Sequence, residues 1–130
     1  MVPILETEYA QLTLDQELSV LKLIWKEECV SETYRFVYEN ILDLCKKTTV
    51  RFYIADIRKL GLISQSDRKW LQTKVIPKLF KSGMEKIGTI VDGDVYTQRH
   101  LSHINQGVKG SENIKQFGRL EEAIRWFKDE

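Results

Sequence analysis

Val50-Arg51-Phe52-Tyr53-Ile54-Ala55-Asp56 runs directly into Ile57-Arg58-Lys59-Leu60-Gly61-Leu62-Ile63-Ser64-Gln65-Ser66-Asp67. The first segment is apolar, too short for a helix and rich in β-branched and aromatic residues. It ends in a carboxylate before a Gly-containing turn, which predicts a buried central strand over residues 50–56. In open α/β sheets, ligands and partners meet the chain beyond the carboxyl ends of the strands, where loop side chains and helix N-termini converge. The exit of this strand is therefore the expected working surface, and no catalytic signature accompanies it.

Downstream, Ser64-Gln65-Ser66-Asp67 fits the Ser-x-x-acid capping pattern ahead of Trp70 and Leu71, predicting a helix from Ser64 towards Lys81. Pro77 lacks a backbone donor and crowds the preceding turn, so a kink or break is expected near Ile76. Upstream, Tyr34, Val37, Tyr38, Ile41, Leu44 and Cys45 recur on one face of a helix over Ser31–Lys47. Ser31 reads as its N-cap, and Lys46 and Lys47 suit the negative end of its dipole.

Residues 4–14 read as one half-exposed edge strand with Ala10, Leu12 and Leu14 on one face. Asp15-Gln16-Glu17 connects it to a deeper strand, Leu18–Trp25, in an antiparallel hairpin. Beyond helix two, Lys86–Val91 reads as a short strand with a turn at Asp92-Gly93. Asp94 then caps a third helix reaching Gln106, and Gly107–Ser111 forms a flexible connector. Ile114–Phe117 is the last strand, and Leu120, Ala123, Ile124 and Phe127 mark one face of a closing helix, Leu120–Lys128. The order β-β-α-β-α-β-α-β-α implies one α/β domain over residues 1–130. Its sheet is mixed and mostly parallel, five-stranded, with an antiparallel first strand and four helices.

The 130 residues are long enough to bury a core without disulfides, and 20 Lys and Arg against 19 Asp and Glu leave a net charge of +1. Global charge thus favours neither nucleic acid nor an acidic membrane. Cys29 and Cys45 show no zinc or redox spacing and read as small hydrophobes in a reducing compartment. With no signal pattern and no apolar run of spanning length, a cytoplasmic protein is expected.

The chemically suggestive residues compete with plainer readings. Asp56 ends a strand as a receiver phosphoacceptor does, but the Lys that a receiver needs is missing after Phe117, and a lone strand-end Asp more often holds its own turn. His100 and His103 sit one helical turn apart without a third ligand, so no metal is expected. Arg68, Lys69, Lys74, Lys78, Lys81 and Lys86 interleave with Trp70 and Phe80. Such a stretch binds anionic partners, or else is a solvated helix face over core aromatics.

The element order, together with Tyr53-Ile54-Ala55-Asp56, Ser64-Gln65-Ser66 and Leu120-Glu121-Glu122-Ala123, resembles the STAS superfamily of bacterial anti-sigma-factor antagonists. It is similar above all to small stand-alone STAS-like proteins, with an echo of CRAL-TRIO lipid-binding domains. In the regulatory members an Asp-Ser-Ser/Thr-Gly motif opens the second helix, and its second hydroxyl is phosphorylated to break partner binding. Laid over that motif, Ser66 falls on the phosphoacceptor, while Ser64, Gln65 and Asp67 depart from it. The capping reading of Ser64 and Ser66 stands beside the switch.

The resemblance implies a non-enzymatic regulatory domain without a cofactor. A protein partner is the ligand class it implies, and the expected contact surface is Asp56, Arg58, Lys59, Ser64, Ser66 and Arg68; a homodimer through an exposed helix or edge strand is a separate expectation. The alternative is a carrier of a small lipid-like or acyl ligand, which requires a deep apolar pocket under helices two and three. Nucleic acid is not expected as a partner.

Overall fold

The computed structural model describes residues 1–92 and 111–129. The expected third helix, His100 and His103, and most of the Gly107–Ser111 connector lie outside the described residues. Six strands, β1 (Val2–Glu6), β2 (Ala10–Asp15), β3 (Val20–Trp25), β4 (Phe52–Asp56), β5 (Lys86–Ile90) and β6 (Ile114–Phe117), form one sheet in sequence order. The pairs β1–β2 and β2–β3 are antiparallel; β3–β4, β4–β5 and β5–β6 are parallel. The α/β class, the mixed sheet and the interior place of the strand at residues 50–56 match the expectation.

The strand count does not. Residues 4–14 were expected to form one strand, yet the chain folds back between β1 and β2. The Thr7 hydroxyl accepts hydrogen bonds from the Tyr9 and Ala10 amides at 3.0 Å each, and the Thr7 amide bonds the Ala10 carbonyl at 2.9 Å. A threonine side chain does here what Gly or Pro usually does, so the turn carried no conventional signal. Ala10, Leu12 and Leu14 nonetheless share the buried face. The β1 edge is blunted by Pro3 and by a shift of register between Pro3 and Leu5, and the β6 edge has only four residues. Both features disfavour edge-to-edge self-association.

Three helices are described. Helix α1 is Ser31–Lys47, and α3 is Leu120–Lys128. Helix α2 runs through an α segment Gln65–Trp70, a π-helical turn Leu71–Val75 and a second α segment Ile76–Lys81. The interruption expected near Ile76 takes the form of that π turn: the Ile76 amide bonds the Leu71 carbonyl, five residues back. Widening the turn just before Pro77 makes room for a residue that cannot donate.

The side-chain alternation of β4 divides the core between the two faces. Tyr53 and Ala55 face the larger cluster with α1 and α2; Phe52 and Ile54 face a smaller one with Ala123 and Phe127 of α3. Trp25, Tyr34 and Tyr38 pack together at the centre of the larger cluster, with Tyr53 and Trp70 set edge-on against Tyr38. Cys45 is buried, Cys29 half-buried, and both are free thiols. No helix among the described residues is long and apolar enough to cross a membrane.

Candidate functional site

Beyond the carboxyl end of β4 the chain is held by every third residue. Ile57, Leu60 and Ile63 are buried, and the Ile57 amide bonds the Ile90 carbonyl at 3.2 Å, tying the loop to the end of β5. Anchoring at that spacing turns Arg58, Lys59, Gly61, Leu62 and Ser64 outwards, and all five are exposed. The result is a rim built on a rigid floor.

Asp56 serves its own turn. Its carboxylate accepts from the Arg58 amide at 3.2 Å and takes both arms of the Arg58 guanidinium at 2.9 and 2.7 Å. This bidentate clasp pairs the two charges and holds the turn. The clasp borders an open cleft of about 610 Å³, lined also by Ile24, Trp25, Lys26, Lys59 and Asp92.

Ser64 caps α2, accepting from the Asp67 amide at 3.1 Å. The reciprocal arm of a capping box does not form, because the Asp67 side chain is engaged elsewhere. It is buried and accepts from the Ser31 hydroxyl at 2.7 Å and from Arg35 Nε at 2.8 Å. Ser31 is thus the first residue of α1 rather than its cap: Val30 holds the N-cap position, and the hydroxyl crosses to α2. Arg35 also donates to the Ser66 hydroxyl at 3.2 Å and lies 4.9 Å above the Trp70 ring. Burial acts to raise the Asp67 pKa, but hydrogen bonds from Arg35 and Ser31 and the Arg35 charge outweigh it, holding the carboxyl below its ordinary value.

Of the six residues singled out from sequence, Asp56 and Arg58 hold each other, Ser64 caps α2, and Arg68 donates to the Ile63 carbonyl at 2.8 Å. Lys59 is exposed, and Ser66 is exposed and accepts a hydrogen bond from Arg35. They share one end of the sheet, though not one cluster. Sequence reasoning missed Ser31 and Arg35, an i, i+4 pair on α1 whose target lies 32 to 36 residues downstream.

It also missed Val30 and Leu62, which are 69% and 59% exposed. Their loops adjoin: a Cβ added at Gly61 would sit 2.8 Å from side-chain carbons of Glu28. Gly61 also has φ +77°, so Gly61→Ala is expected to cost about 1–2 kcal/mol from left-handed backbone strain, with Glu28 displaced. Urea unfolding measures that loss.

The Cys29 thiol is not activated. Burial, and then the nearby Asp67 and Glu28 carboxylates, push the Cys29 thiol up, away from the thiolate. The apolar cavity between α2 and the sheet, lined by Tyr38, Tyr53, Leu71, Ile76 and Ile114 among others, measures about 30 Å³. That is room for a water, whereas pockets for small ligands start near 300 Å³. Among the described residues the carrier expectation therefore finds no support.

No protein-family model and no curated protein matches the sequence. The fold does match: the anti-sigma factor antagonist SpoIIAA, in its unphosphorylated form, superposes with a TM-score of 0.68. The match covers 92% of this chain and 96% of that one at 13% identity. The chain is STAS-like in fold.

Proposed function

We propose that this protein is a non-enzymatic, STAS-like regulatory domain that binds a partner protein through the rim at the carboxyl end of β4. The observation that carries the reading is the exposure of Val30 and Leu62, two apolar side chains on loops that meet at Glu28 and Gly61. The same loops and the first turn of α2 carry the exposed polar residues Glu28, Lys59, Ser64 and Ser66. Exposed apolar anchors inside a polar border are the usual composition of a protein contact. Placing them on a prefolded floor lowers the ordering cost of binding.

Asp56, Arg58 and Arg68 support this face by fixing the loop, and Lys59, Ser64 and Ser66 border it. Ser66 belongs to the face as a contact residue. A phosphoryl group there would meet the Asp67 carboxylate, which already holds Arg35, so attraction to the helix dipole and repulsion by a carboxylate oppose each other.

The test is affinity capture from the source cells with the wild-type chain and with the double variant Val30→Asp, Leu62→Asp. Both positions are exposed and position 30 is the N-cap of α1, where Asp is favoured, so the variant is expected to fold at least as stably as wild type and to lose the captured partner. Retention of the same partner by the folded variant would remove the rim from the contact.

A further inference from the structure

The two loops of the rim carry opposite charge. Lys26, Arg58 and Arg35 pair with Glu6, Asp56 and Asp67, so those charges cancel where they stand. On the loop that leads into α1, the exposed charged side chains that remain around Val30 are acidic: Glu27, Glu28 and Glu32. On the loop and opening turns of α2, those that remain around Leu62 are basic. They are Lys59, Lys69 and the half-buried Arg68, which keeps its charge while donating to the Ile63 carbonyl. Each half thus sets one apolar side chain among charges of one sign, and the halves meet where Glu28 lies against Gly61.

Helix electrostatics accounts for one half only. Carboxylates ahead of α1 and in its first turn, where Glu32 stands, suit the positive end of its dipole. Lys59 ahead of α2, and Arg68 and Lys69 in its opening segment, gain nothing from the positive end of that helix; they gain from carboxylates brought by another molecule. A surface of one sign, such as an anionic membrane or a nucleic-acid backbone, meets like charge over the acidic half. A ligand that satisfies both halves carries both signs in the reverse arrangement, with an apolar side chain in each. The rim is itself such a ligand. With a two-fold axis running between the loops, Val30 of one copy faces Leu62 of the other, and the acidic loop faces the basic one, twice over.

We infer that the rim docks on the rim of a second copy of this chain, in a two-fold dimer that hides Val30 and Leu62 from the partner protein. The inference rests on the reading of the rim as a contact face and adds its regulation. A free rim appears on dilution, and the partner competes with the second copy for it. Two loops bury little area, so the pairing is weak and depends on charge as much as on apolar contact. The surface differs from the exposed helix or edge strand expected from the sequence.

The test is sedimentation equilibrium of the full chain at up to about 1 mM, with two charge-reversed variants, Glu27→Lys, Glu32→Lys and Lys59→Glu, Lys69→Glu. All four positions are exposed, so both variants are expected to fold, which circular dichroism checks. Wild type should form dimers and nothing larger, more weakly in added salt. Each variant alone should associate about tenfold or more weakly, because like charge then faces like charge. An equimolar mixture of the two should dimerise as wild type does, since both loop contacts are again between opposite signs. The inference is overturned by a wild-type chain that stays monomeric, by assembly beyond the dimer, by either variant pairing as wild type does, or by a mixture that stays monomeric. Should a variant misfold, amide NMR on dilution of wild type decides: shifts at residues 27–32 and 58–69 are expected, and shifts confined to other surfaces overturn it. A monomeric chain whose partner is still lost from Val30→Asp, Leu62→Asp keeps the rim reading and ends only this inference. Mutual rescue, with capture untouched by that variant, does the reverse.

Discussion

Replacing Phe127 with Ala is expected to cost about 3–5 kcal/mol and to loosen α3 from the sheet. Phe127 and Ala123 are the fully buried side chains of that helix, and the Phe127 ring stacks on Phe52 with centroids 4.7 Å apart and planes 10° from parallel. The approach is close because β5 offers Gly88 beneath it: a Cβ there would lie 3.4 Å from both Ala123 and Phe127. Removing the ring leaves a cavity over Ile54, which is fully buried, and the surrounding strands cannot collapse to fill it. For a domain whose whole stability is of order 5–15 kcal/mol, that is a large share. Urea unfolding measures the loss, and amide exchange should quicken first across Leu120–Lys128. A loss below about 1 kcal/mol would mean that α3 is held chiefly by Lys86 at its end rather than by packing.

Asp67→Asn is expected to cost about 2 kcal/mol at neutral pH. Removing one member of a fully buried pair costs 3–5 kcal/mol, but the Arg35 side chain is 35% exposed, so water screens part of the charge left behind. The pH dependence gives the sharper test. The folded-state pKa of Asp67 lies below its unfolded value, so its contribution is complete above the unfolded carboxylate range near 4 and disappears as pH falls through the folded value. Wild type should therefore approach the variant in stability as the solution is acidified. A stability gap that stays constant between pH 7 and the acid limb would show that the Asp67 charge is not what joins α1 to α2.

Much of the architecture was legible because it is written in periodicity. The 3.6-residue stripe from Tyr34 to Cys45 and the apolar run from Phe52 to Ala55 have one reading each, and both hold. The division of residues 4–14 was not legible because its turn depends on the Thr7 hydroxyl instead of a Gly or Pro. The rim was legible only as a location. Ser64 announced its cap, yet the partners of Asp67 come from another helix, and pairing across 32 residues leaves no local pattern. Exposure of Val30 and Leu62 was equally hidden, since apolar residues near a core sequence look like core until the loops are placed. The basic stretch mixed two kinds of residue: Arg68 and Lys86 donate to backbone carbonyls, while Lys78 and Lys81 stand in the last turn of α2, at the negative end of its dipole.

The most direct test of the rim places a photo-crosslinking amino acid at Leu62, and separately at the exposed Glu121 of α3, followed by irradiation in the source cells. Recognition at the carboxyl end of β4 predicts a discrete protein adduct from position 62 and none from position 121. An adduct from position 121 with silence at position 62 would contradict it.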